Sequence, residues 1–531
     1  MSKSIRAVTR TLTLGTAISM IMMASANAQT LRWASAGDSL TFDPHSQNHG
    51  QTHAVAHQIY NPLIYLDLDS EMQPGLAVSW EVTDDPSVWE FKLREGVTFH
   101  DGTPFTADDV VFSFQRAQHP NSDMRTLISS VKEVRAVDPH TVHIETNGPT
   151  PLLPNNLTNL FIMSKAWAEA NNVLTPQDYS AGEENFAVRN ANGTGPFRLA
   201  SRDPDVRTEM VRNDEYWGVE EFPMEISRIV LTPIQSAATR AAAMLSGEID
   251  FLQDVPVQDI NRLSNSANIT MLSAPENRTI FFGMDQGRDE LRTSNIKGEN
   301  PFADIRVREA MNIAINRDAI QQVVMRGQSV PAGMIAPSFV NGWTEELDTV
   351  PETDINRAKE LLAEAGYEDG FTVTLTCTND RYVNDEAICQ AVTGMLGQAG
   401  INVRLDARAN SIHFSELQQG ELDFFILGWA VPPLDSHYVF DFLLETKTPD
   451  TGAWNFTGWS HEEFDSLSRA LPTETDLDER NAKIARAWEI VQEEIVYLPV
   501  HHQVLNWAVR QDIDFSVQSQ NQPMLKYLSF K

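Results

Sequence analysis

The sequence predicts a mixed α/β protein, and three observations carry that prediction. Strand-like runs alternate with helical ones along the chain, the pattern that builds sheets covered by helices. Apolar residues make up 42% of the 531 residues and charged residues 21%, an ordinary globular balance that argues against a largely disordered chain. No long linker, low-complexity tract or internal repeat interrupts the alternation. At about 150 residues per unit, length alone suggests three to four domain-sized units.

Taken in order, residues 1–28 read as an export signal and not as part of the fold. Lys3, Arg6 and Arg10 form a basic start, residues 12–25 are apolar and rich in small side chains, and Ala26-Asn27-Ala28 matches an A-x-A cleavage site. The apolar stretch is too short to span a membrane comfortably. Gln29, not Cys, follows the expected cut, so no lipid anchor is expected, and the address read is a Gram-negative periplasm. The net charge is −33, from 40 Lys+Arg against 73 Asp+Glu, and losing three cations takes it to about −36. That excess of acid disfavours nucleic acid and anionic membrane as partners, because both are held by clustered Lys and Arg.

Strands are expected at residues 31–34, 87–94, 141–145, 226–232 and 279–284, and helices at 107–117, 235–246, 305–324, 355–365 and 478–494. Several helices carry their own punctuation. Thr106 with Asp109 three residues on forms a capping box. Asp354 stands where an N-cap is wanted, and Gly366 where a helix ends in a left-handed turn. Apolar residues after Asp304 recur at helical period. The two cysteines, Cys377 and Cys389, fall at the end of a strand (371–377) and in the first turns of a helix that starts at 385. Export permits a disulfide, worth about 3 kcal/mol by loop closure; two buried thiols are the alternative.

The chemistry scan finds no phosphate-binding P-loop, nucleophile elbow, H-E-x-x-H or dinucleotide fingerprint. His461-Glu462-Glu463 lacks the second histidine. The glycine-rich residues 192–197 lead into a strand and read as a turn, not a phosphate cradle. No catalytic residues and no cofactor are therefore expected; an exported hydrolase is the alternative from another class. His45, His49, His53 and His57 recur every four residues. Pro44 and Gly50 confine the helix to residues 52–60, so His53 and His57 form an i, i+4 pair, and His45 and His49 sit in a loop. Hydrogen-bonded histidines and a metal or metal-chelate site are both open readings.

One long block is specific. Gly75-Leu-Ala-Val-Ser-Trp80 leads to Trp89-Glu-Phe-Lys-Leu-Arg-Glu-Gly-Val-Thr-Phe-His-Asp-Gly-Thr-Pro-Phe-Thr-Ala-Asp-Asp-Val-Val111, which resembles the signature of the peptide/nickel-type (family 5) solute-binding proteins of ABC importers. Further matches follow in family order: YNPL at 60–63, GTGPF at 193–197, SGEID at 246–250 and REAMNIAINRDAI at 308–320. They continue with AKELLAEAGY at 358–367, FFILGWA at 424–430, WNFTGWSHEEFDSL at 454–467 and IVYLPVHHQ at 495–503.

The resemblance covers essentially all of residues 29–531. It implies the two-lobe periplasmic-binding-protein fold (type II, cluster C-like). Lobe I would use residues 29–278 and 500–531, with an inserted subdomain at about 70–185, and lobe II residues 279–499. It also implies a monomer that encloses a small peptide or peptide-like carboxylate-bearing solute between its lobes and delivers it to an inner-membrane ABC permease. Hinge closure is a two-state element of the kind a partner can read, and clefts between domains are where ligand sites concentrate. Binding of an oligosaccharide or metal chelate is the alternative within the family.

By the same resemblance, Arg381 occupies the place of an Arg that pairs with a peptide carboxylate, as a guanidinium does through two parallel charge-assisted bonds; a surface Arg paired with Asp380 or Asp385 is the plainer reading. Relatives carry an ammonium-binding Asp three residues after a Gly-Trp. Here Gly428-Trp429 is followed by Pro432 at that position, which offers neither charge nor N–H, and Asp435 is the available substitute. Trp429, Trp454 and Phe456 lie on segments that border the cleft in relatives, where they would stack on a ligand or fill the core. Gln47, Asn48 and His49, in the loop 43–53, would supply hydrogen bonds.

Overall fold

The computed structural model describes residues 29–531 apart from Ser180, Asp380, Pro449 and Asp450, so the expected export signal at 1–28 lies outside the described residues. No helix among the described residues is long and apolar enough to cross a membrane.

One eleven-stranded sheet organises the chain. Its strands in chain order are β1 (Gln29–Ser35), β2 (Phe197–Asp203), β3 (Arg207–Arg212), β4 (Ile226–Pro233), β5 (Phe251–Leu252) and β6 (Ile269–Met284), then β7 (Ser329–Pro331), β8 (Phe371–Thr378), β9 (Ile401–Arg408), β10 (Phe424–Ala430) and β11 (Tyr497–Arg510). In space they run β9-β8-β10-β6-β11-β5-β1-β4-β3-β2, with β7 against β11. At one end β1 lies parallel to β4 and β5; at the other, β8 lies parallel to β9 and β10. Parallel neighbours need helical crossovers, which is why helical segments separate these strands in sequence.

The two parallel ends are joined through β6 and β11. Their antiparallel pairing extends from Ile269↔Arg510 to Gly283↔Tyr497, with irregularities between Pro275 and Thr279 and between Ile280 and Phe281. Beyond the first irregularity β6 also pairs with β10, from Arg278↔Ala430 to Met284↔Phe424. Each end has its own apolar core: Trp33, Phe251 and Trp507 anchor the first, and Phe282, Phe424 and Leu375 the second.

A separate antiparallel sheet, in the order Ala77–Val82, Val88–Leu93, Thr141–Thr146, Val131–Asp138, packs under α2 (Ala107–Ala117). The capping box forms as expected: the Thr106 N–H donates to Asp109 at 2.9 Å. The glycine-rich turn before β2 packs on the end of α1 (Gly50–Ile59), where a Cβ on Gly193 would overlap the Ile59 carbonyl; glycine is needed there for close backbone approach, not for a phosphate.

One expected element changes. The helix read over 305–324 breaks after α3 (Ile305–Ala314), because Ile315 and Asn316 are extended and the chain resumes in short pieces at Arg317–Ala319 and Ile320–Val324. The buried Arg317 explains the break: its guanidinium donates to the carbonyls of Pro499 at 2.7 Å and Asn312 at 3.0 Å, bonds that a continuous helix would deny it. Apolar period survives the break, since Ile315 and Ile320 both still face the core. Asp354 accepts from the Arg357 N–H at 2.9 Å, and Gly366 is left-handed (φ +92°) just past its helix.

Candidate functional site

Cys377 and Cys389 are joined in a disulfide and both are buried, so the free-thiol alternative falls away. The bridge ties the end of β8 to α4 (Asp385–Ala399) and closes the loop that carries Arg381. A second clasp works inside that loop. One oxygen of the buried Asp385 accepts from the Thr378 hydroxyl at 2.7 Å, the Arg381 N–H at 3.0 Å and the Tyr382 N–H at 3.1 Å. Asn384, left-handed at φ +56°, donates its side-chain amide to Val324. The Tyr382 ring lies on Gly428 of β10, where a Cβ would stand 2.6 Å from the ring.

Asp385 is therefore spent on backbone, not on the Arg381 guanidinium. Among the described residues Arg381 has no ion pair; its guanidinium sits 5.2 Å from the Tyr382 ring centroid, and Asp380 lies outside the described residues. Arg381 keeps solvent access, yet burial first, and then the charge of Arg278, pull its pKa below the ordinary value.

Further candidate residues lie in the loop before α1. Its base is locked by the buried pair Arg116–Asp43 (2.5 Å) and by His45, whose ring lies 2.8 Å from the Phe161 carbonyl. Gln47 is half-buried and donates to the Ser46 carbonyl at 2.9 Å, and Asn48 is exposed. His49 is half-buried, and its Nδ1 is enclosed with no hydrogen-bond partner among the described residues. Burial, followed by the charges of Arg381 and Arg278, lowers its pKa. His49 thus lies within electrostatic reach of Arg381 and Arg278.

His53 and His57 go elsewhere. Both are buried edge-on against Phe161, at 6.0 and 4.8 Å between ring centroids, and the His57 ring bonds Asn159 at 2.9 Å. Burial is the leading cause that pushes their pKa values down, to about 3 and about 4. Among the described residues no group of three or more His, Cys, Asp or Glu is placed to hold a metal.

Asp435 is not a free acid in the cleft. It is 2% exposed, and both its oxygens are taken by Arg480 at 2.7 and 2.8 Å. The Asn341 amide and the His437 N–H add two more bonds at 3.0 Å. Burial alone would raise its pKa; the Arg480 contact outweighs that and holds it below the usual carboxylate range. The expected substitution for the missing ammonium-binding Asp is thereby corrected, because a carboxylate neutralised and enclosed inside lobe II has nothing left for a ligand.

Pro432 has a different task. Its carbonyl accepts from Gln520 at 3.0 Å and that of Pro433 from Asn155 at 2.9 Å, both donors coming from distant parts of the chain. Trp429, Trp454 and Phe456 form one aromatic row, with centroids 5.5 and 5.7 Å apart. Trp429 is buried and its Nε1 unpartnered among the described residues; Trp454 and Phe456 are half-buried. A groove on lobe I lined by Arg32, Arg207 and Arg228 is already satisfied internally, each guanidinium pairing with Asp250 or Glu209.

Sequence reasoning missed Glu276 and Arg278. They sit at the irregularity of β6, where Arg278 Nε lies 3.3 Å from Glu276, and Glu276 also accepts from Gln503. The signal was present: Glu-Asn-Arg interrupts a strand that is otherwise apolar or small on both sides.

Comparison with known proteins agrees with this architecture. Residues 71–450 match the family described as bacterial extracellular solute-binding proteins, family 5. A glutathione-binding protein of Salmonella typhi is 27% identical over 496 residues, covering 92% of this chain and 91% of that protein. A dipeptide-binding protein of Escherichia coli is 27% identical over 522 residues, covering 93% of each. The crystal structure of a dipeptide-binding protein from Pseudoalteromonas sp. SM9913 in complex with Met-Leu shares the fold at a TM-score of 0.78 and 23% identity, covering 95% of this chain and all of that one. With the match spanning well over half its length, the chain belongs to the family 5 bacterial extracellular solute-binding proteins.

Proposed function

We propose that this protein is the solute-capturing component of an ABC importer, enclosing a small peptide or peptide-like solute between its lobes and presenting the closed form to an inner-membrane permease. It works in the periplasm as an unanchored monomer, without a cofactor and without covalent chemistry. Lobe I comprises residues 29–278 and 500–531, lobe II residues 279–499, and the hinge is the irregular stretch of β6 with the facing part of β11. Arg381 takes the solute's carboxylate. The observation that carries this reading is a guanidinium with no ion pair among the described residues, on a loop fixed by a disulfide and by Asp385, opposite His49 of the other lobe. The glutathione-binding and dipeptide-binding relatives support a peptide-like ligand. Trp429, Trp454 and Phe456 give the solute flat apolar faces, and Gln47, Asn48 and His49 give it hydrogen-bonding partners.

Native mass spectrometry of the purified protein identifies the solute it carries, and calorimetry with that solute measures affinity. Arg381→Ala leaves a carboxylate without its partner in a desolvated cleft, a loss of about 2–5 kcal/mol, or roughly thirtyfold to a few thousandfold in Kd. Wild-type affinity in that variant refutes the carboxylate clamp. Recovery of a cleaved solute after prolonged incubation refutes the non-enzymatic reading.

A further inference from the structure

Arg381 is not the only cation of the cleft. Arg278 leaves β6 at its irregularity, beside Ala430 at the end of β10, while Tyr382, the neighbour of Arg381, packs on Gly428 two residues earlier in the same strand. The two guanidiniums therefore border one strand end from two sides. Among the described residues the only hydrogen-bonding group on either of them is Glu276, through Arg278 Nε at 3.3 Å. The terminal nitrogens of Arg278 and the whole fork of Arg381 face no protein acceptor there. Two like charges close together in a partly desolvated space repel. Glu276, itself shared with Gln503, is the one carboxylate in hydrogen-bond contact with either guanidinium among the described residues. Asp254 and Asp385 also act on them by charge, but Asp254 is engaged by Asn521 and Asp385 by its own loop.

Two buried polar atoms nearby lack partners. Buried polar atoms almost always find one, yet His49 Nδ1 and Gln503 Oε1 are enclosed without one among the described residues. Gln503 holds Glu276, and His49 feels the charges of both arginines.

We infer that Arg278 is a second anion-binding residue and that the cleft is built for a solute with two acidic groups, one on Arg381 and one on Arg278. Glu276 is the internal counter-ion that orients Arg278 from the hinge strand until the solute's second acid arrives. The inference rests on the preceding reading that Arg381 holds a carboxylate.

The test is calorimetry of the purified protein with two matched pairs, alanyl-glutamate against alanyl-glutamine and glutamyl-alanine against glutaminyl-alanine. Members of each pair have nearly the same shape and differ by one negative charge at neutral pH. In at least one pair the acid is expected to bind tenfold or more tighter than the amide. Arg278→Gln should reduce that preference at least tenfold, and Arg278→Lys, which keeps the charge, should retain most of it; loss of the preference in both variants alike points to damaged packing and overturns the assignment. Equal affinities for acid and amide in the wild type, or a preference that persists in Arg278→Gln, overturn this inference and leave the Arg381 clamp standing. Failure of all four peptides to bind overturns the peptide reading itself, and this inference with it.

Discussion

Replacing Asp435 by Asn tests whether that acid belongs to the fold or to the ligand. In the structure Asp435 and Arg480 are each about 3% exposed in their side chains and meet through two parallel bonds of 2.7 and 2.8 Å. Asparagine keeps the shape but removes the charge and turns an amide N–H toward the guanidinium, leaving Arg480 buried without a counter-ion. Breaking one side of a buried pair costs about 3–5 kcal/mol, a large share of the 5–15 kcal/mol that typically holds a protein folded. With a slope of about 3 kcal/mol per molar urea, the lobe II midpoint falls by roughly 1–1.7 M. Trp488, whose Nε1 donates to Ser436 at 2.8 Å next to Asp435, makes the transition visible by fluorescence. Arg480→Gln should cost a similar amount, and the double variant much less than the sum, because contacting partners are not additive. Since the folded pKa of Asp435 is depressed, the pair's contribution is present above about pH 4 and lost as pH falls through the lowered folded value. Ligand affinity at 25 °C should stay within about threefold of wild type. A midpoint shift below 0.3 M together with a tenfold loss of affinity would refute the reasoning and return Asp435 to the ligand site.

Three further outcomes are expected. Cys377→Ser with Cys389→Ser loses about 3 kcal/mol of unfolding free energy by loop closure and weakens solute binding by loosening the Arg381 loop; unchanged affinity in calorimetry would show that Asp385 fixes the loop alone. N-acetylating a bound dipeptide should cost less than about tenfold in Kd, because position 432 is proline and Asp435 is occupied by Arg480; a hundredfold loss would reveal an ammonium site that these residues do not explain. His45, His53 and His57 have pKa values pushed down, chiefly by burial, to about 4, 3 and 4, so they are neutral when folded and protonated when unfolded between about pH 4 and 6.5. Urea stability should therefore fall as pH drops through that window, by up to about 1.4 kcal/mol per unit for each histidine. His57→Gln should make the decline shallower by that amount, and an unaltered slope counts against the assignment.

The sequence by itself determined most of the elements and the family. Hydrophobic period, the Thr106–Asp109 box, the Asp354 cap and Gly366 are local features, and local hydrogen bonds and side-chain spacing decide them wherever the chain goes. The block at 75–111 and its companions marked the family for the same reason, being read within short windows. The strand end and helix start on either side of Arg381 were legible for the same reason. What only the tertiary structure decided were the partnerships across long separations. Asp435 finds Arg480 forty-five residues on, Arg317 breaks an apparently continuous helix to reach the carbonyl of Pro499, and Pro432 bonds Gln520 through its carbonyl. His53 and His57, ambiguous as a pair, were resolved by Phe161 and Asn159, about a hundred residues away. Arg278 and Glu276 looked like polar interruptions of a strand until β6 was seen to pair with both β11 and β10 around them. A charge acquires its role from the dielectric and the counter-charges around it, and both are set by which distant segments fold against it.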